Sequence, residues 1–390
     1  MINKINSKGF HLGSLFFIGL FSFCFFSSFA CRDSAAGNNE GPTQEAVLVS
    51  AVETPDTVPQ PVVDSMRTLR IIGVGDMMLG TNYPSASYLP PKGGADMLKD
   101  VESILSQADL TFGNLEGTIL DEGGTAKRCN NPAVCYVFRS PESYVKHFVN
   151  AGFDILSIAN NHSGDFGPVG RKKTKELLKK AGIYYAGLAG TDESVIFEKD
   201  GITYGFCAFA PNSGTVDIRN ISRAKQIVSQ LEKEADIVIV SFHGGAEGAS
   251  NQNVTRKTET YYGENRGNVY AFAHAVVDAG ADIVFGHGPH VTRAVELYKD
   301  RFIAYSLGNF CTYGRFSLSG PAGYAPLITL TVDETGSFME GLITPVYQQK
   351  AHGPKIDGQK RAINKLRELT KQDFPETPLR IMEDGKIERK

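Results

Sequence analysis

Residues able to bind a cation or move a proton recur in this chain at one kind of place. Strand-like apolar runs give way abruptly to Asp76, to Glu116, to Asn161 with His162, to His243 with Glu247, and to His287 with His290. Carboxylates, an amide oxygen and imidazoles are the ligand set for Mn, Fe or Zn. With no paired-cysteine site, the pattern is not that of a thiolate-bound structural zinc. Each residue alone reads as an ordinary turn residue or a satisfied core histidine. Five strand ends repeating the coincidence read as a site.

The elements that must position these residues follow from periodicity. Phe153 to Ala159 is a buried strand that changes into Asn160-Asn161-His162-Ser163-Gly164-Asp165, with a helix beginning near Pro168. Further strands are predicted over 69–75, 109–112, 236–242 and 282–285. Helices are predicted over 95–107, 141–151 with Ser140 as N-cap, 169–180, 222–234 and 269–279. Lys199-Asp200-Gly201 reads as a hairpin turn, and a last set of hairpins covers 301–307 and 327–346. Alternating β and α, with hairpins in the middle and at the end, predicts an α/β fold with a mixed sheet, or two sheets, covered by helices. In such a sheet the functional crevice lies at the carboxyl ends of the strands, where these polar residues fall.

The flanks set the compartment. Lys4 and Lys8, an apolar run from Phe10 to Phe26 and the small residues before Cys31 have the order of an export signal over 1–30. The Ala30-Cys31 junction resembles a bacterial lipobox, in which Cys31 is lipidated; Ser28 departs from it, leaving simple cleavage or an uncleaved anchor as alternatives. Residues 31–68, rich in Ser, Gly, Asn, Glu, Thr and Pro, read as a flexible linker. The expectation is a cell-envelope protein, exported and membrane-anchored, with its main domain over 69–350 and a peripheral tail over 351–390. A net charge of −3 and no long basic cluster exclude nucleic acid as a partner. Cys129 and Cys135 bracket a loop short enough to close in an oxidising compartment, which predicts a disulfide. Cys207 and Cys311 lie in apolar runs as core residues.

Six ordered motifs carry a resemblance. Gly75-Asp76-Met77-Met78-Leu79-Gly80, Asn114-Leu115-Glu116, Ala159-Asn160-Asn161-His162, His243-Gly244-Gly245-Ala246-Glu247, Gly286-His287-Gly288-Pro289-His290-Val291 and Ser306-Leu307-Gly308-Asn309-Phe310 resemble those of the CapA family of poly-γ-glutamate capsule synthesis proteins. That family is similar to the calcineurin-like metallophosphoesterases. The resemblance implies a four-layer αββα sandwich of metallophosphatase type. It also implies a divalent metal site in which Asp76 and His290 hold one ion, Glu116 bridges, and Asn161, His243 and His287 hold the second. His162 would be the acid that protonates a leaving oxygen.

Three departures accompany it. Met78 stands where the superfamily has a histidine, Glu116 where it has an aspartate, and His287 and His290 are three apart rather than two. The first metal therefore has fewer ligands, and the expectation is one or two ions. Arg139, in a motif that recurs in the family, is a candidate for pairing with a carboxylate or phosphate, or else a surface arginine bonded to nearby carbonyls. Glu247 and Asn309 join it as candidate substrate-binding residues.

Two functions fit. One is an accessory protein for synthesis or export of an anionic capsule polymer such as poly-γ-glutamate, working beside membrane-bound synthesis or export proteins. The other is an extracytoplasmic metal-dependent hydrolase of a phosphoester or a γ-glutamyl amide.

Overall fold

The computed structural model describes residues 67–129 and 135–390. The export signal, Cys31 and nearly all of the 31–68 linker lie outside the described residues. Among the described residues, no helix is long and apolar enough to cross a membrane.

In chain order the first strands are β1 (Thr68–Met78), β2 (Leu110–Leu115), β3 (Thr118–Ile119), β4 (Arg139–Ser140), β5 (Ile155–Ser157), β6 (Tyr184–Ala186), β7 (Ser194–Lys199), β8 (Ile202–Phe209) and β9 (Ile237–His243). There follow β10 (Thr260–Tyr261), β11 (Glu264–Asn265), β12 (Ile283–His287), β13 (Val295–Tyr298), β14 (Arg301–Ala304) and β15 (Asn309–Thr312). The last are β16 (Tyr324–Asp333), β17 (Phe338–Gln349), β18 (Gly353–Ile356), β19 (Leu379–Ile381) and β20 (Lys386–Arg389). The helices are α1 (Glu102–Leu105), α2 (Val145–Asn150), α3 (Gly167–Lys180), α4 (Ile221–Leu231), α5 (Val269–Val277) and α6 (Arg361–Asp373).

One sheet runs β19-β20-β17-β16-β1-β2-β5-β6, with β15 also on β1 and β18 on β17; the second runs β13-β14-β12-β9-β8-β7. Alternation along each strand divides the apolar residues between two faces. Ile71, Leu110 and Phe112 of the first sheet meet Phe206, Ile239 and Phe285 of the second in one core. Phe112 and Phe285 stack across that core with ring centroids 5.1 Å apart. The opposite face of the first sheet, with Ile72 and Val74, is covered by Leu105, Phe148 and Leu178 of α1, α2 and α3. Val238 and Val240 of the second sheet are covered by Ile227 of α4 and Phe272 of α5. This is the four-layer αββα sandwich.

Local structure departs from the sequence pattern in three places. Of the helix expected over 95–107, only Glu102–Leu105 is α-helical. The apolar spacing survives in buried Met97, Leu98, Val101 and Leu105, partly through i→i−3 turns such as Met97 N to Gly94 O and Val101 N to Leu98 O. Ser140 does not cap the next helix, because its hydroxyl donates instead to Gly80 O at 2.7 Å. The tail beyond 351 is not peripheral. Strands β18 and β20 pair with β17, β19 pairs with β20, and Ile363, Leu366, Leu379 and Ile387 enter the core between the sheets. Its apolar positions complete a sheet that β17 would otherwise leave open.

Candidate metal centre

The sequence places Glu116, His243 and His287 at or just beyond the carboxyl ends of parallel strands and Asp76 two residues before the end of β1, and the fold gathers those ends. Strands β9 and β12 run in register with His243 opposite His287. In β1 the register against β15 slips between Asp76 and Met77, a bulge that re-aims the carboxylate. The backbone is too close there for a side chain: a Cβ on Gly75 would stand 1.9 Å from Gly308 O. Gly288, at φ +114°, likewise lets the His287 loop pass Gly244, whose O would lie 2.6 Å from an added Cβ.

Asp76 is fully buried. It accepts from Asn114 Nδ2 at 2.8 Å and contacts Nδ1 of His287 at 3.0 Å and Nδ1 of His290 at 2.8 Å. Burial raises its pKa, but the two imidazoles outweigh burial and hold the carboxyl well below its usual range. An ionised carboxylate only accepts, so both Nδ1 atoms carry protons. Carboxylate–imidazole contacts of this kind fix ring orientation behind a metal. His290, pulled down by burial, is brought up to about 10 by the hydrogen bond and charge of Asp76. Glu116 is pushed up to about 8, first by burial and then by the charge of Asp76. His243 is held well below its ordinary value by burial and then by the charge of Arg266.

Among the described residues, Glu116, His243 and His290 each turn one ligand atom toward the others, all within 4.8 Å. Asp76 stands behind this group on the imidazoles. Buried atoms around it have no hydrogen-bond partner: Glu116 Oε1, Asn161 Oδ1, both nitrogens of His243 and His287 Nε2. Leaving a buried polar atom unpaired costs about 1–3 kcal/mol each. Oxygen and imidazole atoms left open at neighbouring strand ends, three of whose residues meet within 4.8 Å, fit a divalent cation.

His162 lies at the rim, its Nε2 4.0 Å from Glu116 Oε1 and its Nδ1 2.8 Å from Asp165 Oδ2. Asp165 is itself fixed by the Phe138 N–H at 2.6 Å and by the Lys127 ammonium at 2.6 Å. Burial keeps the imidazole below its ordinary pKa against the opposing pull of Asp165. The ring is therefore neutral near pH 7, with the proton on Nδ1 and an open lone pair on Nε2.

A cavity of about 560 Å³ opens over these residues, with Asn161, His162, Glu247, His290 and Asn309 in its wall. Asn309 leaves Oδ1 buried without a partner. Glu247 Oε1 stands 3.0 Å from Arg266 Nη2. Arg139 is not brought here: β4 pairs with β3, and its guanidinium bonds Asn82 Oδ1 at 2.6 Å and lies 4.8 Å over Phe166. Cys129 and Cys135 form a disulfide, Cα atoms 5.6 Å apart, with Cys129 at the cavity wall. Cys207 and Cys311 are free and buried, their thiols pushed up by burial.

Several positioning residues escape a reading by strand ends. Asn114 Nδ2 bridges Asp76 and Glu116 at 2.8 and 2.7 Å. Asn160 Nδ2 holds Asn114 Oδ1 at 3.1 Å and Leu115 O at 2.8 Å. The i, i+2 spacing of Asn114 and Glu116 is the signal that put both on one side of the chain. Asp165 and Lys127 have the look of ordinary loop residues, and Arg266 lies in a stretch without pattern.

Residues 70–313, more than half of the chain, match the family described as bacterial capsule synthesis protein PGA_cap. The chain is 30% identical over 259 residues to the capsule biosynthesis protein CapA of Bacillus anthracis, covering 61% of this chain and 58% of that protein. It is 28% identical over 257 residues to the PGA biosynthesis protein CapA of Bacillus subtilis, covering 61% of each. A probable polyglutamine synthesis accessory protein of Mycobacterium tuberculosis is 30% identical over 227 residues, 52% of this chain and 55% of that one. The matches thus span about six-tenths of the length of these curated relatives or less. Among solved structures, a putative 5'-nucleotidase of Staphylococcus aureus is similar at a TM-score of 0.43 and 16% identity, over 78% of this chain and 58% of that chain.

Proposed function

The chain belongs to the PGA_cap family of bacterial capsule synthesis proteins, and from that premise we propose that it handles an anionic capsule polymer such as poly-γ-glutamate at a divalent-metal centre in the cell envelope. In this reading residues 1–30 direct export, Cys31 carries an acyl anchor, and 31–68 tether the domain beside membrane-bound synthesis or export proteins. Glu116, Asn161, His243, His287 and His290 hold one or two ions of Mn, Fe or Zn, with Asp76 as a further ligand or as the carboxylate behind the histidines. The observation that carries the reading is the set of unpartnered buried donors at the strand ends.

When bound, the ion would polarise a carbonyl or phosphoryl oxygen of the polymer. Asn114 keeps the two carboxylates apart and aimed. The polymer occupies the cavity between Asn309, Glu247 and His162.

A second reading, hydrolysis of a phosphoester or γ-glutamyl amide, is favoured by the geometry of His162. Its Nε2 faces Glu116 while Asp165 holds Nδ1. Nε2 takes the proton that the attacking water releases, Asp165 stabilises the charged ring, and the proton passes to the leaving oxygen or nitrogen.

Metal analysis of the purified protein, followed by binding of poly-γ-glutamate and a screen of phosphoesters and γ-glutamyl peptides, tests both readings. Bound metal with polymer affinity and no turnover supports the accessory role; turnover that depends on His162 supports the hydrolase. Absence of metal and of affinity overturns both. For the anchor, Cys31→Ser should release the protein from membranes or leave it unprocessed, and unchanged processing and retention would remove it.

A further inference from the structure

A cation outside the metal-facing set lines the same cavity. Arg266 has a side chain only 4% exposed, yet its Nε and Nη2 have no hydrogen-bond partner. Glu247 Oε1 is 3.0 Å from Nη2 but off the line of its N–H bonds, and the exposed Glu264 Oε2 is 3.6 Å from Nη1, so both contacts are ionic without a hydrogen bond. A guanidinium does not shed its proton to relieve burial. Buried open donors on a fixed positive charge call for an anion.

The frame around Arg266 is built to hold it still. Its N–H donates to Glu259 O at 2.8 Å, and its O accepts from Gly245 N at 2.9 Å. Glu259 is gripped in turn by both terminal nitrogens of the buried Arg293, at 3.0 and 2.8 Å, and by Ala246 N at 2.8 Å. Arg293 is fully partnered and structural. Arg266, one hairpin away, is not.

The hairpin itself carries a second observation. Strands β10 and β11 are joined by Tyr262 and Gly263, both at positive φ, +47° and +79°. Two-residue loops of this kind favour Asn-Gly or Asp-Gly, and a bulky residue without a short polar side chain is strained there. Tyr262 is nonetheless 81% exposed, and it lines the cavity beside Tyr261. Strain kept at the edge of a pocket is a mark of binding.

We propose that Arg266, presented by the Thr260–Asn265 hairpin, reads a carboxylate of the bound polymer, exchanging its contact with Glu247 for the substrate's oxygens. The planar fork of the guanidinium matches a carboxylate with two parallel N–H bonds. Tyr261 and Tyr262 cover the aliphatic part of the same unit. The inference rests on the polymer reading of the metal centre and adds the residue that sets its specificity.

The test uses the full, metal-loaded chain and a fluorescent γ-glutamate decamer, with inorganic phosphate as competitor. Arg266→Gln should weaken decamer binding by about tenfold or more, with metal content unchanged. Arg266→Lys, which keeps the charge without the fork, should recover only part of the affinity and serves as the probe if the glutamine variant does not fold. Tyr262→Asn should raise the melting temperature while weakening binding. Decamer affinity untouched by Arg266→Gln, but abolished by His243→Ala, overturns this inference and leaves the polymer reading standing. Wild-type protein that binds no decamer overturns both. Loss of phosphate competition alone in Arg266→Gln makes the residue a phosphate reader and overturns the carboxylate assignment.

Discussion

At their amino ends the parallel strands β2, β5, β9 and β12 are each preceded by an aspartate: Asp109, Asp154, Asp236 and Asp282. Each makes the same reciprocal pair with the neighbouring strand. Its N–H donates to the carbonyl of Arg70, Thr111, Thr203 or Val238, and its carboxylate accepts from the N–H of that same residue, at 2.6 to 2.8 Å. At the carboxyl ends of the same sheets, Glu116 and the histidines leave buried atoms unpartnered. Polar side chains therefore do opposite work at the two ends. One end closes the backbone's own hydrogen-bonding needs, and the other keeps its lone pairs for something else.

The most severe way to break this contrast is His243→Ala. It should strip the metal, measured by elemental analysis of the purified protein, and abolish the drop in melting temperature that chelation causes in the wild type. Retained metal would mean that the open lone pairs are not ligands. His162→Ala should leave metal in place while cutting any hydrolytic rate by roughly 10²–10⁴, and an unchanged rate would remove the ring from the chemistry.

At the opposite end, Asp154→Ala should cost about 1–3 kcal/mol in denaturant unfolding by stranding the Thr111 N–H, with metal content unaffected. A loss of metal there would erase the distinction between the ends. The smallest effect sharpens it. Burial pushes Asp282 up to about 7, against the Val238 N–H and Arg301. A folded pKa above the unfolded value gives stability that is fully present below about pH 4 and lost as pH rises through 7. Asp282→Asn keeps an acceptor for Val238 and should flatten that decline between about pH 4 and 7 in thermal melts. An equally steep decline in the variant would place its cause elsewhere.

The contrast also explains what was legible in the sequence. Near-continuous apolar runs such as Ile71 to Val74 and Ile237 to Phe242 declared two-sided burial, and hence sheets covered by helices. The polar strand ends could be picked out because side chains there no longer serve the core. What stayed hidden depended on partners distant in sequence. Asn114 is notable only once Asp76 and Glu116 stand beside it. Arg139 looks like an anion binder until Asn82 and Phe166 claim it. The tail read as peripheral because α6 alternates buried Ile363 and Leu366 with charged residues, and its burial needs β16 and β17 as neighbours.

Strand β1 has a consequence for the timing of folding. It is the first strand among the described residues, yet it lies at the centre of its sheet, paired with β2 on one side and with β15 and β16 on the other. Thr68 lies opposite Asp333 in that ladder. The middle of the sheet thus waits for residues made some 260 positions later, a loop whose closure must be paid in chain entropy before any contact rewards it. A ribosome-bound chain stays open through most of its synthesis. An early stop anywhere before β16 leaves β1 with one long unpaired edge, a ready template for aggregation.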